Sequence, residues 1–403
     1  MKKSLFITCF LAIASVLVVN AQEEKSIPTS KGKELVLDSD LGGNIEIKAW
    51  EKNEVYVSID HNFDDDEAKF SITESNGNVN INGKRVGRGN WGWGNNNVKY
   101  KVFVPSAFDL DLSTSGGNVE VDGVNGKING RTSGGNLRVA NLSGAIKMST
   151  SGGNIDVENT DGEGKFSTSG GNVSASMLKG EFDLATSGGN INIKDSEIEG
   201  KAATSGGSIS VNATTGALSV ATSGGNISFN NSAISGTART SGGSIKVDQA
   251  NEGSDVATSG GNITINKARK FAIAKTSGGN IEIKEIDGRV EAKTSGGNID
   301  VKMLNSWDGA HDAELATAGG EVTLYVPADM GMDFDIELEI TKNANKQYKI
   351  NCDFDISISE GEWETSESNR YSRKKITGTG KVGNANNRIT IKTVNGDINI
   401  KKI

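Results

Sequence analysis

Residues 114–167 read TSGGNVEVDGVNGKINGR, TSGGNLRVANLSGAIKMS and TSGGNIDVENTDGEGKFS, three successive segments of 18 residues with one opening. The TSGGN string starts at Thr114 and returns at Thr132, Thr150, Thr168, Thr186, Thr204, Thr222, Thr240, Thr258, Thr276 and Thr294. Only its last letter varies, with Ser208 and Ser244 in place of Asn. A strict short period means one structural unit stacked on copies of itself.

Within each unit the apolar residues alternate with polar ones. Val119, Leu137, Ile155 and Ile281 occupy one position, and Val121, Val139, Val157 and Ile283 lie two residues on. Glu120, Arg138, Asp156 and Glu282 sit between them. A period of two marks a strand with one buried face. A further inward position precedes each Thr by two residues, as at Leu112, Met148, Phe166 and Leu184, and a third patch contains Val124, Leu142, Leu178 and Ile286. The unit reads as strand, tight corner, strand, looser turn.

Paired glycines at the corner suggest backbone angles that other residues adopt at a cost. The flanking residues would then stack as ladders at the strand spacing of about 4.8 Å. The ladder expected to matter most comprises Asn118, Asn136, Asn154, Asn172, Asn190, Asn226, Asn262, Asn280 and Asn298, with amides bonding coil to coil. Ser208 and Ser244 should be weak points in it, because a hydroxyl is shorter than an amide. Glycine density and the period of two exclude helix across this region. The expectation is an all-β, single-stranded β-solenoid with 18-residue coils and irregular β caps at both ends. Its regular part should be about 50 Å long. A calcium-binding nonapeptide roll would need Asp soon after the glycines, where this chain has Asn or Ser.

Sequence outside the array bounds the rest. Lys2 and Lys3 precede an apolar run from Leu5 to Val19 and small residues ending at Ala21, the pattern of a secretory signal peptide. No later stretch is apolar enough to suggest a transmembrane helix after signal cleavage. Cys352 would then be the only cysteine, which precludes an intramolecular disulfide. A net charge of −8, with no basic patch, argues against nucleic acid as a partner. The three prolines are Pro28, Pro105 and Pro327, and the last two sit in the similar segments KVFVPSAFDLDL and TLYVPADMGMDFDI at the borders of the array. Imperfect corners appear at Leu41 (LGGN), Ser75 (SNGN), Thr317 (TAGG) and Thr393 (TVNGD). The expected organisation is a signal peptide at 1–21, an N-terminal β cap at 22–112, the regular solenoid at 113–326 and a C-terminal β cap at 327–403.

The Val-Pro strand at Val104 and Pro105, the SGGN repeats and the closing TVNGDINI resemble a family of exported bacterial proteins known as putative adhesins, a domain of unknown function. The resemblance covers roughly residues 30 to 403 and implies a right-handed β-helix. It implies adhesion in general terms and supplies no catalytic residues.

Candidate sites are few. Trp91 and Trp93 lie in RVGRGNWGWGNNN, where little core exists to bury them, and exposed indoles suit a sugar face or a protein. NSWDGAHD, with Trp307, Asp308, His311 and Asp312, reads as a surface loop, and His61 with Asp64 to Glu67 as an acidic turn. No residue set suggests a catalytic centre, a metal site or a cofactor. The sequence therefore reads as a non-enzymatic adhesin-like or envelope scaffold protein, at the periplasm, cell surface or beyond. Its partner would be an envelope or surface glycan or protein. The alternative is a polysaccharide lyase or hydrolase on a β-helix, which would need a coherent carboxylate-lined face. The outward positions here carry scattered charges of both signs.

Overall fold

The computed structural model describes residues 21–64, 66–86, 98–344, 346–365 and 372–403. The expected signal peptide, apart from Ala21, lies outside them. The described residues form an all-β chain without helix, built from strands joined into one large, mostly parallel sheet.

The repeat sets the register directly. Leu137 lies beside Ile155 and Ile155 beside Val173, while Thr132, Thr150, Thr168 and Thr186 form one column. Each coil thus pairs with the residues 18 positions before and after it, which makes the protein a β-solenoid. The alternating apolar positions point inward and are almost fully buried, including Val119, Val121, Met148, Ile155 and Leu184. Each such side chain contributes roughly 1.5–3 kcal/mol relative to exposure. Phe166 and Phe182 stack inside successive coils, with centroids 6.5 Å apart and planes 9° from parallel. Gly164 makes room for them, since a Cβ there would lie 2.4 Å from the Phe182 ring.

The corner glycines differ from expectation. None of those in the TSGG strings has a positive φ. The second glycine is instead required by close approach: a Cβ on Gly135, Gly153 or Gly207 would lie 2.0 Å from the glycine carbonyl oxygen one coil back. The left-handed angles occur at the opposite turn, at Gly123, Asn141, Asn159, Met177, Asp195, Ala213 and Asn231.

The corner is also held by side chains. Each buried Thr hydroxyl donates to a glycine carbonyl of the preceding coil, for example Thr132 to Gly117 at 2.8 Å and Thr150 to Gly135 at 2.7 Å. The Asn residues form a ladder of another kind from amide on amide. Each side-chain carbonyl accepts the next coil's main-chain N–H, as from Asn136 to Asn118 and from Asn154 to Asn136, both at 2.8 Å. Ser208 and Ser244 keep this series continuous, because their hydroxyls accept from the N–H of Asn226 and Asn262 at 3.1 Å.

Both ends are built by the same device. Residues 33–50 form a coil directly beneath the first TSGGN coil, although residues 51–107 intervene, through parallel pairing with Phe108–Thr114 and Val119–Asp122. Asn78–Arg85 and Val98–Pro105 stack in parallel beneath that coil. The antiparallel strands Ala68–Ser75, Glu54–His61 and Ala21–Pro28 close the end. The SNGN string is therefore no solenoid corner. Ser75 faces Asn78 across an antiparallel hairpin, with φ of 54° at Asn76 and 84° at Gly77, the tight turn that Asn-Gly favours. Tyr100 plugs this end: its hydroxyl lies 2.8 Å from Ser39 Oγ, and burial pushes its pKa up to about 12 against the lowering effect of that bond.

At the other end, the TAGG coil pairs with the TVNGD coil through Thr317 and Thr393 and through Leu324 and Ile400. Met332–Thr341 and Ile350–Cys352 stack on the latter in parallel. Ser372–Val382 and then Ser357–Thr365 continue the sheet in antiparallel sense. Antiparallel strands at each end stop the open-ended parallel stacking that exposed edges would invite.

Candidate functional site

Trp91 and Trp93 lie outside the described residues. In sequence they fall between Asn78–Arg85 and Val98–Pro105.

The NSWDGAHD segment differs from the plain surface loop expected. His311 is 2% exposed, and its Nε2 lies 3.0 Å from Asp287 Oδ1. Ser306 donates its hydroxyl to Asp287 Oδ2 at 2.5 Å, and the main-chain N–H groups of Ser306 and Trp307 donate to Oδ1. Burial raises the Asp287 pKa, but these donors outweigh it and hold the carboxyl below its ordinary value. The carboxylate sits at the centre and accepts from both serine and histidine. With Ser306, His311 and two main-chain N–H groups all directed at it, the Asp287 carboxylate positions the chain excursion. The sequence concealed the pair because Asp287 belongs to the preceding coil. It is the excursion's anchor, and Thr294 and Thr317 regain register beyond it.

His61 is likewise buried, in contrast to the acidic turn expected. It stacks on Phe70 with centroids 4.3 Å apart, and its Nδ1 has no hydrogen-bond partner among the described residues.

The site with the features of a binding surface lies on the C-terminal cap. Ile340, Ile350 and Ile376 form the floor of a groove of about 890 Å³. Tyr348, Ile358 and Trp363 also line it, and the last two are 51% and 49% exposed, among the largest apolar side chains left uncovered. Lys342, Lys346, Lys349 and Lys374 line the same groove, with Glu360 the acidic residue among its lining. Glu360 pairs with Lys374, and Lys346 bonds Asp397 at 3.0 Å while lying over the Tyr348 ring. The hydrogen bond that Lys346 donates to Asp397 raises the amine's pKa, so it stays charged. Lys342 and Lys349 have no ion pair among the described residues. The apolar face arises because Ser357–Thr365 and Ser372–Val382 add to the sheet beyond the last coil, with Ile358 and Trp363 left exposed on the outer strand. The sequence held two signs of it: the alternation in ISISEGEW and the lysine spacing in KNANKQYK.

Coils in parallel register, closed by antiparallel strands, define the molecule as a capped β-solenoid. The chain belongs to the Toastrack DUF4097 family, whose model matches residues 32–271 and again 215–401. Among solved structures, it is similar to a "putative cell adhesion protein" from Clostridium sporogenes, at 10% identity and a TM-score of 0.19, covering 96% of this chain and 100% of that one. It is also similar to a "putative lipid binding protein" from Parabacteroides distasonis, at 18% identity and a TM-score of 0.26, covering 70% and 97%. A "putative adhesin" from Bacteroides fragilis matches at 14% identity and a TM-score of 0.22, covering 70% and 100%. A comparison with curated proteins gave no match.

Proposed function

We propose that the protein is a non-enzymatic, exported adhesin-like or envelope scaffold protein, in which a stiff solenoid holds binding surfaces at its capped ends. The observation that carries this reading is the pairing of exposed Trp363 and Ile358 with a lysine-lined groove on the C-terminal cap. Exposed aromatic and branched aliphatic side chains beside polar groups are what recognition surfaces use. The solenoid supports the same reading, because ladders bonded at every coil resist bending and place the two ends at a fixed separation. We assign residues 1–21 to a signal peptide, 22–112 and 327–403 to the caps, and 113–326 to the spacer between them. Trp91 and Trp93 belong in this reading to a second contact at the opposite end, with a glycan or protein as its partner.

The test compares Trp363→Ala, and separately Trp91→Ala with Trp93→Ala, in attachment to envelope preparations and glycan arrays. Reduced attachment with an unchanged melting curve supports the reading. Full attachment by both variants refutes it. Surface proteolysis of intact cells, with fractionation, tests export.

A further inference from the structure

We infer that the C-terminal groove binds an anionic phospholipid of a bilayer, with the lysines on the headgroup phosphate and an acyl segment along the isoleucine floor. The inference rests on the reading of this groove as a binding surface and names its ligand.

Three observations favour a lipid over the other anionic ligands. Of the four lining lysines, Lys374 pairs with Glu360 and Lys346 with Asp397, which leaves Lys342 and Lys349 without an ion pair among the described residues, whereas the whole chain carries −8. An acidic molecule is therefore attracted to this patch and repelled by the chain as a whole. The floor is aliphatic: Ile350 and Ile376 are 7% and 8% exposed and continue outward to Ile358 at 51%. A sugar would need several hydrogen-bonding groups inside the groove, yet its uncharged ones are limited to Thr341, Gln347, the Tyr348 hydroxyl and the Trp363 indole N–H. An acyl chain needs only the apolar surface that the isoleucines present. Finally, Trp363 and the lysines stand together on the terminal cap. Indole and ammonium groups beside exposed aliphatic surface suit the headgroup region, where lysines are drawn to an anionic surface. The solenoid would then project away from the bilayer.

The test is vesicle flotation of the mature full-length chain. One vesicle set contains phosphatidylglycerol and phosphatidylcholine in equal parts, and the other phosphatidylcholine alone. The wild type should float with the anionic set and stay behind with the neutral one, and binding should weaken as salt rises. The double variant Lys342→Glu/Lys349→Glu should lose roughly tenfold or more in affinity. Trp363→Ala should also bind less, with Trp363→Phe restoring part of the loss. Melting curves of all variants should match the wild type, since each altered side chain is partly or largely exposed. Failure of the wild type to bind anionic vesicles, or equal binding by the charge-reversed variant, overturns the inference. An alginate oligosaccharide arm separates the two levels. Binding there that Trp363→Ala abolishes, without vesicle binding, discards the lipid and keeps the groove. If Trp363→Ala changes neither arm, both readings fall.

Discussion

Adjacent glycines of one corner should respond oppositely to the same substitution. In Gly153→Ala the new methyl would lie 2.0 Å from the Gly135 carbonyl oxygen and 2.7 Å from the Asn136 nitrogen, both backbone atoms that cannot rotate away. Ordinary contact needs more than 3 Å, so the coils must part by at least about 1 Å at this corner. Three bonds cross the gap there: Thr150 to Gly135 at 2.7 Å, Asn154 to Asn136 at 2.8 Å and Leu137 to Asn154 at 2.9 Å. At about 1 kcal/mol each, their weakening costs about 3 kcal/mol, before any loosening of Leu137 on Ile155. In Gly152→Ala the methyl meets its nearest atom, the Gly134 oxygen, at 3.6 Å, an ordinary contact, and φ is not positive. That variant should be neutral or stabilised by up to about 1 kcal/mol, through reduced freedom of the unfolded chain. Urea denaturation followed by far-ultraviolet circular dichroism measures both. Equal losses would refute the reasoning and return the explanation to special backbone angles shared by both glycines. A loss below about 1 kcal/mol for Gly153→Ala would show that the coils separate easily.

The opposite turn offers a stabilising change. Asn159 donates to Asn141 and Asn141 to Asp122, both at 2.7 Å, and Met177 then interrupts the series with φ of 54° and 47% exposure. Met177→Asn should gain roughly 1 kcal/mol from easier left-handed geometry and a continued ladder, read by the same denaturation; a loss would mean that the methionine packs usefully. Acid should release the NSWDGAHD excursion. The folded Asp287 pKa lies below its ordinary 3.8, so its contribution is complete above that range and fades as pH falls through the folded value. Thermal melts across the acid range should show Asp287→Asn converging with the wild type at low pH, and a constant difference would sink the assignment. Changing Ser208 and Ser244 to Asn should raise stability by only a few tenths of a kcal/mol, since both hydroxyls already accept the next N–H; a gain well above 1 kcal/mol would point to a ladder of stacked amides.

The repeat made the solenoid legible because every coil solves one packing problem, and an unbroken period of 18 leaves a single register. The inward positions and the stacking of corner residues in columns followed from that period, whereas the Asn column turned out to bond from side-chain carbonyl to main-chain N–H and not from amide to amide. The reason for the corner glycines did not, because a sequence gives the residue type at a corner but not the distance between carbonyl and Cβ across coils. The hairpin at Ser75 was misread for a related reason: Asn-Gly serves both an antiparallel turn and a degenerate corner, and the partner strand decides between them.

Sites were harder to read than coils because they are made where the period fails. His311 finds Asp287 only through an excursion that lengthens one interval and returns to register. The groove exists because Ser357–Thr365 and Ser372–Val382 pair antiparallel, so Ile358, Trp363, Lys374 and Ile376 line one groove with Ile340 and Lys342, which no repeat aligns with them. A side chain inside the array has the same neighbours in every coil, which leaves it little scope to recognise anything singular. At the last coil that constraint ends: one face has no successor, and its apolar residues must be covered by the cap or offered to a partner. Ile376 is covered and Trp363 is half exposed, so the boundary between structure and recognition runs between those two residues.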